Sequence, residues 1–196
     1  MRETDQRLLS LIKTELPQGK HDAFEALLNK YEKRIYTISY RYFNNAEDAL
    51  DMAQEAAIKV FNHIAGVTMP EDGENPDALN GWICTVTAHT CLDELRRRKR
   101  RPVQAHEIEE QMLPGRDRTH SAPSAEDTAV LRERAADIIN AVTQLPDDFK
   151  TMIILRDMQG LTYNELSEAV GIPINTVKSR LSRARSALKK LYDGTK

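Results

Sequence analysis

The chain has 196 residues, 40% hydrophobic and 30% charged, which is material for one ordinary domain or two small ones with the balance of a soluble globular fold. No apolar run approaches the ~20 residues of a membrane span, and the first residues alternate charges where a signal peptide would carry an apolar core, so the expectation is a cytoplasmic protein with no membrane insertion. The formal net charge of -2 argues against a nucleic-acid binder only until charge is counted locally. From Phe61 to Leu95 there are six acids and no Lys or Arg; Arg96 to Arg101 are six consecutive cations, and Lys178 to Lys196 hold seven against Asp193 alone. Phosphate contacts supply much of the sequence-independent affinity for DNA, so two basic patches on an otherwise acidic chain fit a protein that touches DNA in two places. The plain alternative is a pair of solvated faces. Cys84 and Cys91 lie seven apart with no further Cys, too few for a four-ligand zinc site and more in keeping with buried packing than with a disulfide.

Apolar residues recur at spacings of three and four and nowhere alternate over six positions, which predicts an all-α fold. A first amphipathic helix is expected over 4–16 (Leu8, Leu9, Ile12, Leu16), stopped by Pro17 and Gly19. The stripe Phe24, Leu27, Leu28, Tyr31, Ile35, Ile38, Tyr42 predicts a second over 21–42. Asn45 can cap a third, with Glu47 and Asp48 favouring its positive end, running to about Ile64. Residues 65–80, rich in Gly, Pro, Asp and Asn, read as a loop, and a fourth helix is expected from Gly81 to Arg100. Three prolines and no sustained period mark a flexible linker after Pro102. The expected division is therefore two small helical domains, 1–101 and 126–196, with 102–125 between them.

In the second domain, Ser124 with Asp127 opens a helix to about Val142 and Pro146 starts one to about Met158. Gly160 closes it, and Thr162 with Glu165 forms a capping box. The following helix is short, Gly171 permits a sharp turn, and the last helix carries one apolar stripe, Val177, Leu181, Ala184, Leu188. Its polar side holds Thr176, Lys178, Ser179, Arg180, Ser182, Arg183 and Arg185. A helix, a tight turn and a basic second helix form a helix-turn-helix whose second helix enters the major groove, where Arg and Lys read guanine edges and hydroxyls suit phosphate or base contacts.

The run Leu145-Pro146-Asp147-Asp148-Phe149-Lys150, Ile153 to Tyr163, and Thr176 to Arg185 resembles the C-terminal DNA-binding domain of bacterial sigma-70 factors of the extracytoplasmic-function type. In the first half, Ala23 to Leu28 with Tyr31, Asp48 to Glu55, and Phe61 are similar to the domain of those factors that holds core RNA polymerase. The resemblance implies that Asp48, Asp51, Gln54 and Glu55 meet the β′ clamp helices, with the β subunit as a further contact. The segment from Trp82 to Arg98 looks like the helix that engages the -10 element and captures an extruded base. Carried over by position, the -10 residues are Asn80, His89, Arg96, Arg97 and Arg98, and the helix-turn-helix surface takes the -35 element. His89 stands where the family usually has Asn, and the 65–80 loop lacks the usual aromatic, so the base read at -10 stays open.

The resemblance thus implies an alternative sigma factor: no catalytic residues, no metal, no cofactor, core polymerase and promoter DNA as partners, and an anti-sigma factor as regulator. Two rival readings stay open on residues alone. A stand-alone helix-turn-helix regulator would bind its operator without polymerase. An enzyme built on Asp48, Asp51 and Glu55 would need those carboxylates to converge, yet they lie on one helix without a nearby His.

Overall fold

The structure is a computed structural model and describes residues 2–68, 78–100 and 125–194. Among the described residues every regular element is helical. Helix α1 (Arg2–Glu15) runs into a 3-10 turn, Leu16–Gln18, where Pro17 is tolerated, and Gly19 at φ 71 reverses the chain. Three polar contacts pin α1 to α2 (Asp22–Phe43). The Ala23 N–H donates to Glu15 at 2.9 Å, and Asp5, only 6% exposed, accepts from the Tyr31 hydroxyl at 2.8 Å and pairs with Lys30.

Asn44 takes the left-handed conformation (φ 50), which its short polar side chain tolerates, and Asn45 caps α3 (Ala46–His63) by accepting the Asp48 N–H at 3.0 Å. A 3-10 turn, Ile64–Gly66, follows. Helix α4 (Ala78–Arg100) begins three residues before the expected Gly81, because Leu79 extends the buried stripe one turn ahead of Ile83 and both are sealed from solvent. The middle of the expected 65–80 loop and nearly all of the expected 102–125 linker lie outside the described residues.

Helix α5 (Ala125–Thr143) is followed by α6 (Asp147–Met152). The expected helix to Met158 is there, but Ile153–Met158 is wound as a π-helix, with Gln159 N–H reaching Ile154 C=O at 3.0 Å. Helices α7 (Tyr163–Val170) and α8 (Ile174–Gly194) are the last described elements, with Gly171 at φ 67 between them. The capping box is complete: Thr162 Oγ1 accepts the Glu165 N–H at 3.2 Å and Glu165 accepts the Thr162 N–H at 2.7 Å.

Two clusters of buried side chains hold these helices together. One lies within the first half, from Leu9 and Ile12 through Leu27, Ile35, Val60 and Ile64 to Leu79 and Ile83. The other draws on both halves: Ile38, Tyr42, Met52, Cys84, Ala88, Cys91 and Leu92 join Val142, Leu155, Leu161, Leu166, Val177 and Leu181. Helix α4 therefore carries two apolar stripes. Leu79 and Ile83 face the first cluster; Cys84, Ala88, Cys91 and Leu92, at spacings of four, three and one, face the second. Both cysteines are free and buried, and burial pushes the thiols up, Cys84 to about 11 and Cys91 to about 12, as the packing reading requires.

Candidate nucleic-acid interface

Helix α7 is eight residues long, too short to persist alone, and it is held by burying Leu166 and Ala169 against Leu161, Val177 and Leu181. With Val177, Leu181 and Ala184 sealed beneath it, α8 turns Lys178, Ser179, Ser182, Arg183 and Arg185 to solvent, while Thr176 and Arg180 are half-buried. The expected basic face is thus assembled on one side of one helix. Its cations are not all equally free. Arg185 makes a two-pronged ion pair with Asp157 of the π segment, Nε–Oδ2 2.9 Å and Nη2–Oδ1 2.5 Å, and that carboxylate raises its pKa. Arg180 reaches Asp148 at 3.3 Å, Arg183 lies over the Phe149 ring at 5.7 Å, and Tyr163 is flanked by Arg156 at 4.6 Å and Lys178 at 5.8 Å. Arg156 also donates to the Leu161 carbonyl, closing the turn before α7. Arg185 therefore braces the motif, whereas Lys178, Ser179, Ser182 and Arg183 remain presented.

The second basic patch ends α4. Arg96, Arg97 and Arg98 are all exposed, as is His89, about two turns back on the Arg96 face of the helix. Arg98 is committed to two carboxylates, with Asp48 held at 2.6 and 2.9 Å and Glu94 at 2.8 Å, and it lies over the Phe43 ring at 5.0 Å. These acids raise the Arg98 pKa. Glu94 is buried (8% exposed), yet Arg97 at 2.5 Å and Arg98 hold its carboxyl below the usual carboxylate range against the pull of burial. Arg96, only 3.7 Å from Asp93, and Arg100 are less committed. Asn80 is half-buried rather than presented: its Oδ1 accepts from Arg34 and from Cys84 Sγ at 3.6 Å.

The four residues expected to dock polymerase separate. Asp48 turns to Arg98, while Asp51, Gln54 and Glu55 are exposed along one side of α3, Glu55 pairing with Lys59 at 3.1 Å. Beside them runs an open groove of about 390 Å³ between α2 and α3, lined by Leu28, Tyr36, Leu50, Ala53 and Gln54 among others. Leu50 is 53% exposed and Ile58 60%, large apolar groups left in water. Sequence reasoning missed this groove. Its signal was that Leu50 stands off the stripe Ala49, Met52, Ala56, Val60 that α3 buries.

No group of three or more metal-ligating side chains converges among the described residues, and among them no helix is long and apolar enough to cross a membrane. A family model described as Sigma-70 region 2 matches residues 27–101, and one described as Sigma-70, region 4 matches residues 135–188. Among curated proteins, the chain is 29% identical to the ECF RNA polymerase sigma factor SigE of Mycolicibacterium smegmatis over 88% of its own length and 62% of that protein's. It is 29% identical to the RNA polymerase sigma-H factor of Pseudomonas aeruginosa, over 96% of this chain and 93% of that one. Among solved structures, the sigma factor RpoE bound to the anti-sigma factor NepR from Bartonella quintana superposes with a TM-score of 0.64 at 21% identity, over 89% of this chain and 98% of that one. CnrH bound to the cytosolic domain of CnrY gives 0.62 at 17% identity, over 98% of this chain and 99% of that one. These two likenesses establish a shared helical fold.

Proposed function

The chain belongs to the sigma-70 family, in its extracytoplasmic-function branch, and from that membership we propose how its two basic surfaces and its apolar groove divide the work of starting transcription. It is an alternative sigma factor that directs transcription. The stand-alone regulator reading loses its ground, since both family models belong to sigma factors and together they cover both halves of the chain.

In this reading the α2–α3 groove docks core RNA polymerase. Leu50 in the groove and the exposed Ile58 outside it supply apolar contact, and Asp51, Gln54 and Glu55 offer a polar rim suited to a basic coiled coil. Asp48 acts from behind by fixing Arg98. On α8, Lys178, Ser179, Ser182 and Arg183 read the -35 element, with Arg180 on its flank and Arg185 as brace. On α4, His89 with Arg96 and Arg97 serves the -10 element, and Asn80 joins once it leaves Arg34. The domain division assigns 1–101 to polymerase and the -10 element, 126–196 to the -35 element, and 102–125 to the tether. The observation that carries this is the joint presence of an exposed basic recognition face and an exposed apolar groove with an acidic and amide rim, which a lone operator binder does not need.

The chain performs no chemistry of its own in this scheme; polymerase is the enzyme. It works in the cytoplasm, and an anti-sigma factor that covers the groove would keep it inactive. Because each domain contacts one element, modest affinities combine only when the elements have the right spacing. A gel shift with and without core polymerase tests the proposal. Promoter fragments should shift only with core present, and Leu50→Asp should weaken core association about tenfold or more. Tight binding without core, or a Leu50→Asp variant with unchanged core affinity, contradicts it.

A further inference from the structure

We propose that Phe149, acting through Arg183 rather than on DNA, is a positioning residue for the base preference of the recognition helix, and that its neighbour Asp148 restrains Arg180 from phosphate. The proposal rests on the reading of α8 as the -35 helix.

Each of the four cations between Thr176 and Arg185 leans on a residue from outside α8. Lys178 lies over the Tyr163 ring at 5.8 Å, and Arg185 is held by Asp157. Arg180 reaches Asp148 at 3.3 Å, and Arg183 lies over the Phe149 ring at 5.7 Å. Helical spacing sorts these contacts to two sides. Lys178 and Arg185, about two turns apart, stand toward α7 and the π segment; Arg180 and Arg183, about one turn apart, stand toward the first turn of α6. Ser179 and Ser182 lie exposed between the two sides. Each side therefore has one aromatic seat and one carboxylate seat.

The two kinds of seat act differently. A guanidinium over a ring is held through the ring face, which leaves its N–H donors for a base edge. At a carboxylate the same donors are committed to the protein. Arg183 is exposed over its ring, and Phe149 is half-buried, packed on the cluster that holds Val177 and Leu181, so the seat is anchored from below. Arg180 is held less firmly: the Asp148 side chain is 63% exposed, and an ion pair so open to water is weak and readily exchanged. An arginine already stacked in place loses less rotamer freedom on binding than one that must be ordered. That matters most at a base edge, where a two-pronged pairing demands orientation, and least at phosphate. Loss of the Phe149 ring should thus reduce discrimination between sequences, whereas loss of the Asp148 charge should strengthen binding to all of them.

The test uses holoenzyme reconstituted from core RNA polymerase and the full chain, with promoters located by transcript 5′ ends and then randomised over the -35 element. Bound fragments are sequenced, and total binding is followed against salt. Arg183→Ala should flatten the preference at the positions Arg183 reads. Phe149→Leu and Phe149→Met, which keep an apolar group on the cluster, should flatten the same positions by about three- to fivefold, while Phe149→Tyr keeps the wild-type preference. In Phe149→Leu/Arg183→Ala the loss should equal that of Arg183→Ala alone. Asp148→Asn should bind every fragment more tightly, with unchanged preference and a salt slope steeper by about one. Preference intact in both Phe149→Leu and Phe149→Met while Arg183→Ala flattens it overturns the seat, as do losses that add in the double variant. A loss equal on every fragment would reduce Phe149 to a support of the fold and overturns it too. Weaker binding by Asp148→Asn overturns the restraint on Arg180. If Arg183→Ala itself leaves the preference intact, the reading of α8 as the -35 helix fails, and the seat with it.

Discussion

Helices α4 and α8 are both long, both basic toward one end and both assigned to DNA, yet they are built differently. Helix α8 buries a single stripe, Val177, Leu181 and Ala184, continued by the half-buried Ala187, Leu188 and Leu191, and gives its basic side to solvent. Helix α4 buries residues on two sides, and its arginines are largely answered by Asp48, Glu94 and Asp93. A helix with one stripe is a finished reading surface on a small domain. A helix with two stripes has a second occupant, here the other half of the chain. On the proposed assignment, the α8 face is presented as it stands, whereas Glu165 of α7 lies over Gly81 at the start of α4.

The largest expected effect tests the α8 side of this contrast. Leu181 is 1% exposed beneath the recognition face, and Leu181→Ala should destabilise the protein by about 2–5 kcal/mol, read by thermal denaturation. Because the second cluster joins both halves, the loss should appear as one shifted transition; two separate transitions would deny the shared core. Next, Arg183→Ala should weaken -35 recognition by about 1–3 kcal/mol without lowering core association, measured as holoenzyme binding to promoter variants. An equal loss on every DNA sequence would demote Arg183 to a phosphate contact.

On the α4 side, pH separates a braced arginine cluster from a free one. Arg97 and Arg98 hold the Glu94 carboxyl below its ordinary range, so its contribution is present at neutral pH and lost as pH falls through the depressed folded value. Glu94→Gln should lower stability near neutrality, and its deficit should shrink below about pH 4, followed by urea denaturation across pH. A deficit independent of pH would mean that the packing of Glu94, not its charge, supports the end of α4. The smallest effect, about 1 kcal/mol, is expected for Thr162→Ala, which breaks the capping box of α7. A loss well above that would show that the α7 cap also supports the contact over Gly81.

How much of this was legible beforehand follows from the range of the interactions involved. Helix order, the Asn45 cap, the capping box and the stripe under α8 are local, set by residues three or four apart, and the sequence displays them openly. The π winding of Ile153–Met158 and the pairing of Arg185 with Asp157 depend on packing against a neighbouring helix, which spacing does not encode. Asp48 reads as a docking acid alongside Asp51, and only the arrival of α4 turns it to Arg98. The groove was missed: Leu50 breaks the α3 pattern, but the exposure that gives it meaning is a property of the folded surface. The shared core was least visible, because Cys84, Ala88, Cys91 and Leu92 read equally well as packing within the first half.

The central claim, that the exposed α8 face works only in partnership with polymerase docked at the α2–α3 groove, is tested most directly by adding the purified chain to core RNA polymerase on a genomic template library and sequencing transcript 5′ ends. The account predicts transcripts that start at a limited set of sites and fall in yield with either Leu50→Asp or Arg183→Ala. Initiation unchanged by adding the chain, together with tight sequence-specific DNA binding by the chain alone, would contradict it.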